Sequence, residues 1–337
     1  MPLIDRHSAT AHAAWHDLLR SLLDEEISEL RGTPTKVTRG GRGYWYDSYR
    51  VGTQVKKRYI GEDTPALAAR LSNAAAIKSA TAERAGNRTR LIRILRAEGF
   101  MGVDAATGSL MSAMAQAGVF RLGGTVVGTH AFRLYEGVLG LKYRFDDMAQ
   151  TGDIDIASFE RLSLALEDTV SPPLTQVLSD FAFDPLPSLH NKSTWRWRQT
   201  RNDLLVEFLT PSFDAEEGLR PLAALGVDAQ ALHHLNYLLR DPIPAVVPYR
   251  SGVLVQIPPP DRFAIHKLIV ASRRKGRLQA RKDRAQAAFL ITALAEDRPD
   301  ELKDAYVAAR AEGPKWRDRL DETLHQMPTE KRLLDGL

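Results

Sequence analysis

Thr151-Gly152-Asp153-Ile154-Asp155-Ile156 sets two carboxylates two residues apart, with an isoleucine after each. Side chains at i and i+2 of a strand point to the same side, so the spacing predicts that Asp153 and Asp155 face one way. Carboxylates held together repel, and a cation between them relieves the repulsion. Mg²⁺ suits the position, being a hard ion that takes oxygen ligands from carboxylates and phosphates alike. On its own an Asp-x-Asp is most often a solvated strand or turn, so its neighbours decide its meaning.

Upstream, Val126-Val127-Gly128-Thr129-His130-Ala131-Phe132 reads as a strand that ends at Gly128 and a helix that begins near Thr129. Such a turn aims backbone N–H groups, a hydroxyl and the positive end of a helix dipole at one point, where a triphosphate can be held. The plainer alternative is a glycine turn with Thr129 as N-cap. Downstream, Leu205-Val206-Glu207-Phe208-Leu209 carries a third acid among apolar residues. Glu207 can complete a metal site with Asp153 and Asp155 or take a proton from an attacking hydroxyl; its plainer reading is an exposed edge-strand residue.

In this order the residues resemble the polymerase-beta-like nucleotidyltransferase superfamily: glycine turn, Asp-x-Asp, then a later strand acid. A bacterial branch of uncharacterised nucleotidyltransferases is closer still. Its Val-Gly-Thr-His-Ala-Phe turn resembles Val127 to Phe132, its Thr-x-Asp-x-Asp-x-Ala strand Thr151 to Ala157, and its Pro-x-Arg-Phe-Ala-x-His-Lys-Leu helix lies within Pro259 to Leu268. The likeness runs from about residue 35 to 300. It implies that Gly128, Thr129 and Lys267 bind a nucleoside triphosphate and that Asp153, Asp155 and Glu207 are catalytic and hold Mg²⁺. In related toxins of the abortive-infection type a helix Lys and a later Lys-Asp pair lie near the nucleotide, and Lys267, Lys282 and Asp283 resemble that order. Three departures stand out: Thr129 where Ser or Gly is usual, Glu207 where Asp is commoner, and a gap of 23 residues (130–152) before Asp153 that must hold an inserted helix or loop.

The elements around these residues follow from periodicity and turn residues. Helices are expected over 9–30, 64–84, 88–98, 108–117, 130–139, 158–168 and 228–239, with Gly86 as a break between the second and third. Strands are expected over 35–60 as a small sheet, at Phe120–Leu122 and Thr125–Val127, at 153–156, 195–197, 204–209, 246–249 and 253–257. Pro258-Pro259-Pro260 stops the last strand, and helices fill the C-terminus. Trp195 and Trp197 are expected in the core, His266 in a structural role, and His130 as a support for the turn. The fold class is α+β: a nucleotidyltransferase core with a mixed sheet at 101–260, an N-terminal helical and hairpin module at 1–100, and a basic helical region at 261–337.

Composition bounds the rest. The 337 residues include no cysteine, which removes disulfide scaffolds, thiolate zinc sites and thiol nucleophiles. No apolar run reaches the ~18 residues of a membrane span, and acids in the first 30 residues argue against a secretory signal; a cytoplasmic protein is the expectation. The net charge is only +4, but it is unevenly spread. Between Arg31 and Arg58 eight basic residues face one acid, Asp47, among aromatics Tyr44, Trp45, Tyr46 and Tyr49. Arg42, Arg50, Lys56, Lys57 and Arg58 could therefore hold nucleic-acid phosphates beside stacking rings.

The reading is an Mg²⁺-dependent nucleotidyltransferase moving a nucleoside monophosphate from an NTP to an acceptor hydroxyl. The basic hairpin favours RNA as acceptor, a tRNA end among the choices, and the related branches make a toxin-like role one reading. The alternative is a nucleic-acid-binding or regulatory protein with an inactive transferase core; a metal-dependent nuclease ranks third.

Overall fold

A computed structural model describes residues 4–51, 54–142, 152–160, 162, 166, 168–186, 194–201, 203–214, 216–274 and 276–337. The fold is α+β, as expected. It opens with a helix, Ala9–Ser28, capped by the Ser8 hydroxyl accepting from the Ala11 N–H. A three-stranded antiparallel sheet follows, β1 (Thr33–Arg39), β2 (Arg42–Val51) and β3 (Gln54–Glu62), in the order β1-β2-β3. Its buried Asp47 accepts from the backbone N–H groups of Arg31 and Gly32, so the one acid in the basic stretch braces the sheet's entry.

The central sheet is built on β4 (Thr125–Val127), β5 (Asp153–Ala157), β6 (Asp184–Pro185), β7 (Arg196–Gln199), β8 (Leu204–Pro211), β9 (Leu219–Leu222) and β10 (Val227–Leu232). Its main path is β4-β5-β8-β10-β9. The sheet is mixed: β5/β8 and β8/β10 are parallel, β4/β5 and β9/β10 antiparallel. One edge of β8 is shared, with β7 pairing residues 204–207 and β10 pairing 209–211. Alternation gives the sheet two faces. Ile154, Ile156, Val206, Phe208, Ala229 and Ala231 are buried in the core, whereas Asp155, Glu207, Leu209, Gln230 and Leu232 are half-buried on the opposite face. A hairpin of β11 (Ile243–Val247) and β12 (Val253–Ile257) completes the strands.

The Pro260–Arg273 helix starts at the last proline of the run, with Pro259 as its cap residue and Pro260 in its first turn. Phe263 packs its ring 5.2 Å from Tyr135 and 6.4 Å from Phe132 of the Gly128–Leu139 helix. The helices Arg277–Asp297, Pro299–Ala311 and Pro314–His325 pack on it, and Pro328–Asp335 packs on those three. The N-terminal region is tied to this body: Arg6 binds Glu296 and Asp297, and Trp15 lies so close to Gly137 that no Cβ would fit there. Arg121 donates to Asp168 at 2.6 Å and to the Tyr59 carbonyl at 2.7 Å, joining β3 to the central region.

Four expectations are corrected. Residues 227–232 form strand β10 rather than a helix, and β9 beside it was missed. Val-Asp-Ala-Gln-Ala-Leu consists largely of good helix formers, but its burial alternates at period two because it docks on β8 and β9. Only Leu235–Leu238 is helical there. Phe120–Leu122 is a turn, closed by Leu122 N–H to Gly118 O and Gly124 N–H to Val119 O, both 2.9 Å. Gly86 does not break a helix; Thr81–Ala97 runs through it, and the breaks fall at Asn73 and Ala80 instead. Of the expected 158–168 helix, Ser158 and Phe159 are non-helical and Glu160 and Leu162 helical; most of the rest, like Thr151 and the insertion at 143–150, lies outside the described residues.

Candidate active site

The parallel register of β5 and β8 sets Asp155 opposite Glu207 and Asp153 opposite Leu205. Antiparallel pairing sets Val127 of β4 opposite Asp155, and Arg196 of β7 opposite Glu207. A single row across the sheet therefore reads Val127, Asp155, Glu207, Arg196. All three predicted acids occupy one face, because Asp153 and Asp155 share parity and register carries that parity to Glu207.

The chain turns directly above this row. Gly128 has φ +65°, a left-handed value that favours glycine, and an added Cβ would overlap the Asp155 Oδ2. Glycine is thus required by backbone conformation and by the closeness of the carboxylate. The helix begins at Gly128, with Val127 as the cap residue and no side-chain cap. Thr129 is therefore not an N-cap: it is buried, and its Oγ1 accepts from Gln286 Nε2 at 3.5 Å. His130 beside it is buried, which pulls its pKa down to about 4 and keeps the ring neutral.

Gly128, Asp155, Glu207 and Lys267 line one cavity of about 360 Å³ between the sheet and the Pro260–Arg273 helix. That volume lies at the lower end of small-molecule sites. Thr129 and Asp153 do not line it; Asp153 is exposed at the start of β5. Burial pushes the Asp155 carboxyl well above the usual range, with the charges of Glu207 and Asp153 adding to the effect. Glu207 is raised by burial and then by Asp153, and its carboxyl is within hydrogen-bonding reach of Asp155. Two such groups need either a shared proton or a cation.

Cations gather around the pair. Lys267 is buried, and its Nζ donates to Asp283 Oδ1 at 2.6 Å. Arg274 donates to Asp283 Oδ2 at 3.3 Å, and the charges of both Lys267 and Arg274 favour ionised Asp155. Burial and then Lys267 lower the Lys282 pKa, against the pull of Asp283, Asp153 and Asp155. The expected Lys267, Lys282 and Asp283 set is thus brought together, but Lys267 reaches the site while anchored by Asp283.

Arg274, Trp195 and Gln230 also line the cavity and were not expected there. Arg274 follows Lys267 by seven residues, or two helical turns, a spacing that puts both on one face. Trp195 corrects the core expectation. Trp197 is buried, 5.2 Å from the Phe208 ring, but Trp195 precedes the strand and is half-buried. His266 is buried among neighbours that include Lys267, which lowers its pKa to about 3.

The donor set fits a divalent cation in its chemistry: hard carboxylate oxygens on one face, destabilised as anions by each other. Among the described residues no group of three His, Asp or Glu side chains converges tightly enough to enclose a metal. Asp155 and Glu207 form the close pair, and Asp153 would have to swing towards them.

The five basic residues of the N-terminal sheet are not on one face. Register pairs Arg50 with Val55, Ser48 with Lys57, Tyr49 with Lys56 and Asp47 with Arg58. Arg50 and Lys57 therefore share one side, and Lys56 and Arg58 the other. Arg42, Arg50, Lys56 and Lys57 are exposed, whereas Arg58 is half-buried and pairs with Glu29 at 3.3 Å. Tyr46 and Tyr59 are buried, whereas Tyr44, Trp45 and Tyr49 are half-buried; of these Tyr49 is the one paired with Lys56, and Arg31 lies 5.6 Å from its ring.

Among the described residues no helix is long and apolar enough to cross a membrane. No curated protein and no solved structure matches the chain. Residues 13–69, the first helix and the small sheet, match a domain of unknown function (DUF6788). Residues 105–311, which carry the glycine turn, the three acids and Lys267, match a nucleotidyltransferase family, so the chain belongs to the nucleotidyltransferases and is a transferase enzyme.

Proposed function

We propose that the protein transfers a nucleoside monophosphate from a nucleoside triphosphate to an acceptor hydroxyl, with a core of the polymerase-beta-like kind. The observation that carries this reading is the placement of Asp155 and Glu207, in register beneath the Gly128 turn, in one cavity with Lys267. The acceptor oxygen attacks the α-phosphorus and forms the new P–O bond. The bond from that phosphorus to the bridging oxygen breaks, and pyrophosphate leaves. The hydroxyl proton passes to Glu207. Gly128 lets the phosphates approach the backbone, and the helix N-terminus with Lys267 and Arg274 offsets their charge. Asp153, Asp155 and Glu207 would hold Mg²⁺, which supplies positive charge to the phosphates.

RNA is the acceptor favoured by the N-terminal sheet, whose exposed Arg50, Lys56 and Lys57 form a basic tip. The division into 1–100, 101–260 and 261–337 gives that module the acceptor, the core the acids and the last region Lys267. Incubation with each α-labelled triphosphate, Mg²⁺, total RNA and total protein locates the acceptor: label on RNA supports this assignment, and label on protein or small molecules alone rejects it.

A further inference from the structure

The edge of β8 next to the acids changes partner along its length. Glu207 pairs with Arg196, Phe208 donates its N–H to the Trp195 carbonyl at 2.8 Å, and Leu209 pairs with Gln230. Trp195 and Gln230 are therefore neighbours at the point where β7 gives way to β10. Both line the cavity that holds Asp155 and Glu207. Leu209 and Leu232 lie beside them, so at this point the cavity wall offers the indole, two leucines and one carboxamide, with His233, His234 and Arg273 farther along the lining. Two residues of strand, about 7 Å, separate Glu207 from Leu209 and leave room for a ribose between them.

The carboxamide has a fixed sense. Gln230 Nε2 donates to the carbonyls of Ala231 at 3.2 Å and Gly218 at 3.4 Å. Turning the amide over would set its oxygen against two carbonyl oxygens, so Oε1 is the atom left to accept, and among the described residues it accepts nothing. The Arg196 guanidinium lies 5.0 Å from the Trp195 ring, a cation–π contact that steadies the indole.

We propose that Trp195 and Gln230 form the nucleobase subsite, with the base against the indole and an exocyclic amine donating to Gln230 Oε1. The enzyme then selects triphosphates of 6-aminopurine or 4-aminopyrimidine over their oxo counterparts. This rests on the cavity being the triphosphate site. A base with a carbonyl at that position sets oxygen against oxygen, so discrimination comes from a repulsive contact as well as a lost hydrogen bond.

The test is equilibrium binding of ATP, ITP, CTP and UTP to the full chain with Mg²⁺, by calorimetry. ATP should bind about tenfold more tightly than ITP, and CTP more tightly than UTP by a similar factor. This comparison uses the unaltered protein, so it does not depend on a variant folding. Gln230→Leu should bring each pair to within about twofold, while Trp195→Ala should weaken all four alike and Trp195→Phe should keep the order. If all four bind equally to the unaltered protein, the base assignment is overturned and the transferase reading stands. If none binds, both fall.

Discussion

The carboxyl groups of Asp155 and Glu207 stand opposite one another in the parallel register of β5 and β8, within hydrogen-bonding reach. Burial raises both pKa values; the charges of Glu207 and Asp153 add to it at Asp155, whereas at Glu207 the charge of Asp153 adds and the hydrogen bond with Asp155 opposes. A carboxyl whose folded-state pKa lies above its unfolded value holds its proton longer in the folded protein, so stability falls as pH rises through that window. With a chelator present, Asp155→Asn should raise the melting temperature at pH 8 and change it little at pH 5. The gain should be on the order of 1–2 kcal/mol. Thermal melts at the two pH values check this; equal shifts at both would show that the pair is not repulsive.

The same substitution should lower transfer by at least about a hundredfold, since an electrostatic group at the reacting phosphate cannot be replaced by a neutral amide. Glu207→Gln should do likewise. A more stable and inactive Asp155→Asn protein separates loss of chemistry from loss of fold. Full activity in it would remove Asp155 from the mechanism.

Gly128 faces two constraints at once. Its φ of +65° costs an L-residue about 1–2 kcal/mol, and a Cβ would overlap Asp155 Oδ2. Gly128→Val should destabilise the chain by at least that amount and weaken triphosphate binding together with activity. Denaturant melts and calorimetry check both; unimpaired triphosphate binding would make the turn purely structural.

Lys267 and Asp283 form a buried pair at 2.6 Å, with Arg274 on the second carboxylate oxygen. Removing Lys267 alone should cost about 3 kcal/mol, because a buried carboxylate loses its main partner. Lys267→Met with Asp283→Leu should recover most of that stability and none of the activity. Coupling in a double-mutant cycle measures the pair. Additive effects would show that the two side chains act apart.

The site was legible where chemistry is local in sequence. Asp153 and Asp155 share a face through strand parity alone, and Gly128 follows from a strand-to-helix turn. Glu207 could be named from its apolar flanks, but only the pairing of β5 with β8 shows that it meets Asp155 and not Asp153. Gln230 was hidden because a run of helix-forming residues became a strand by docking on β8 and β9, a tertiary effect that local propensity does not contain. Trp195 and Trp197 have the same parity, yet Trp195 lies just before the strand, where alternation no longer governs it. The basic residues around Arg50 looked like one surface in sequence, and strand register divides them between two faces.

That division shapes the acceptor test. Arg50, Lys56 and Lys57 stay exposed at one end of the sheet despite pointing to different sides. Changing all three to Ser should weaken RNA binding and reduce the salt slope by roughly two to three, while triphosphate binding is unchanged. Filter binding across a salt series checks this. An unaltered slope would move the acceptor away from this sheet.

Nucleotidyl transfer at the Asp155–Glu207 pair has a distinctive signature in which phosphate reaches the acceptor. The protein is incubated with Mg²⁺, cellular acceptors and a triphosphate labelled at either the α- or the γ-phosphate, alongside Asp155→Asn. Nucleotidyl transfer yields acid-precipitable label from the α-position only, release of the γ-label as pyrophosphate, and neither product with Asp155→Asn or with chelator. Transfer of the γ-label to the acceptor, or equal α-label transfer by Asp155→Asn, would contradict it.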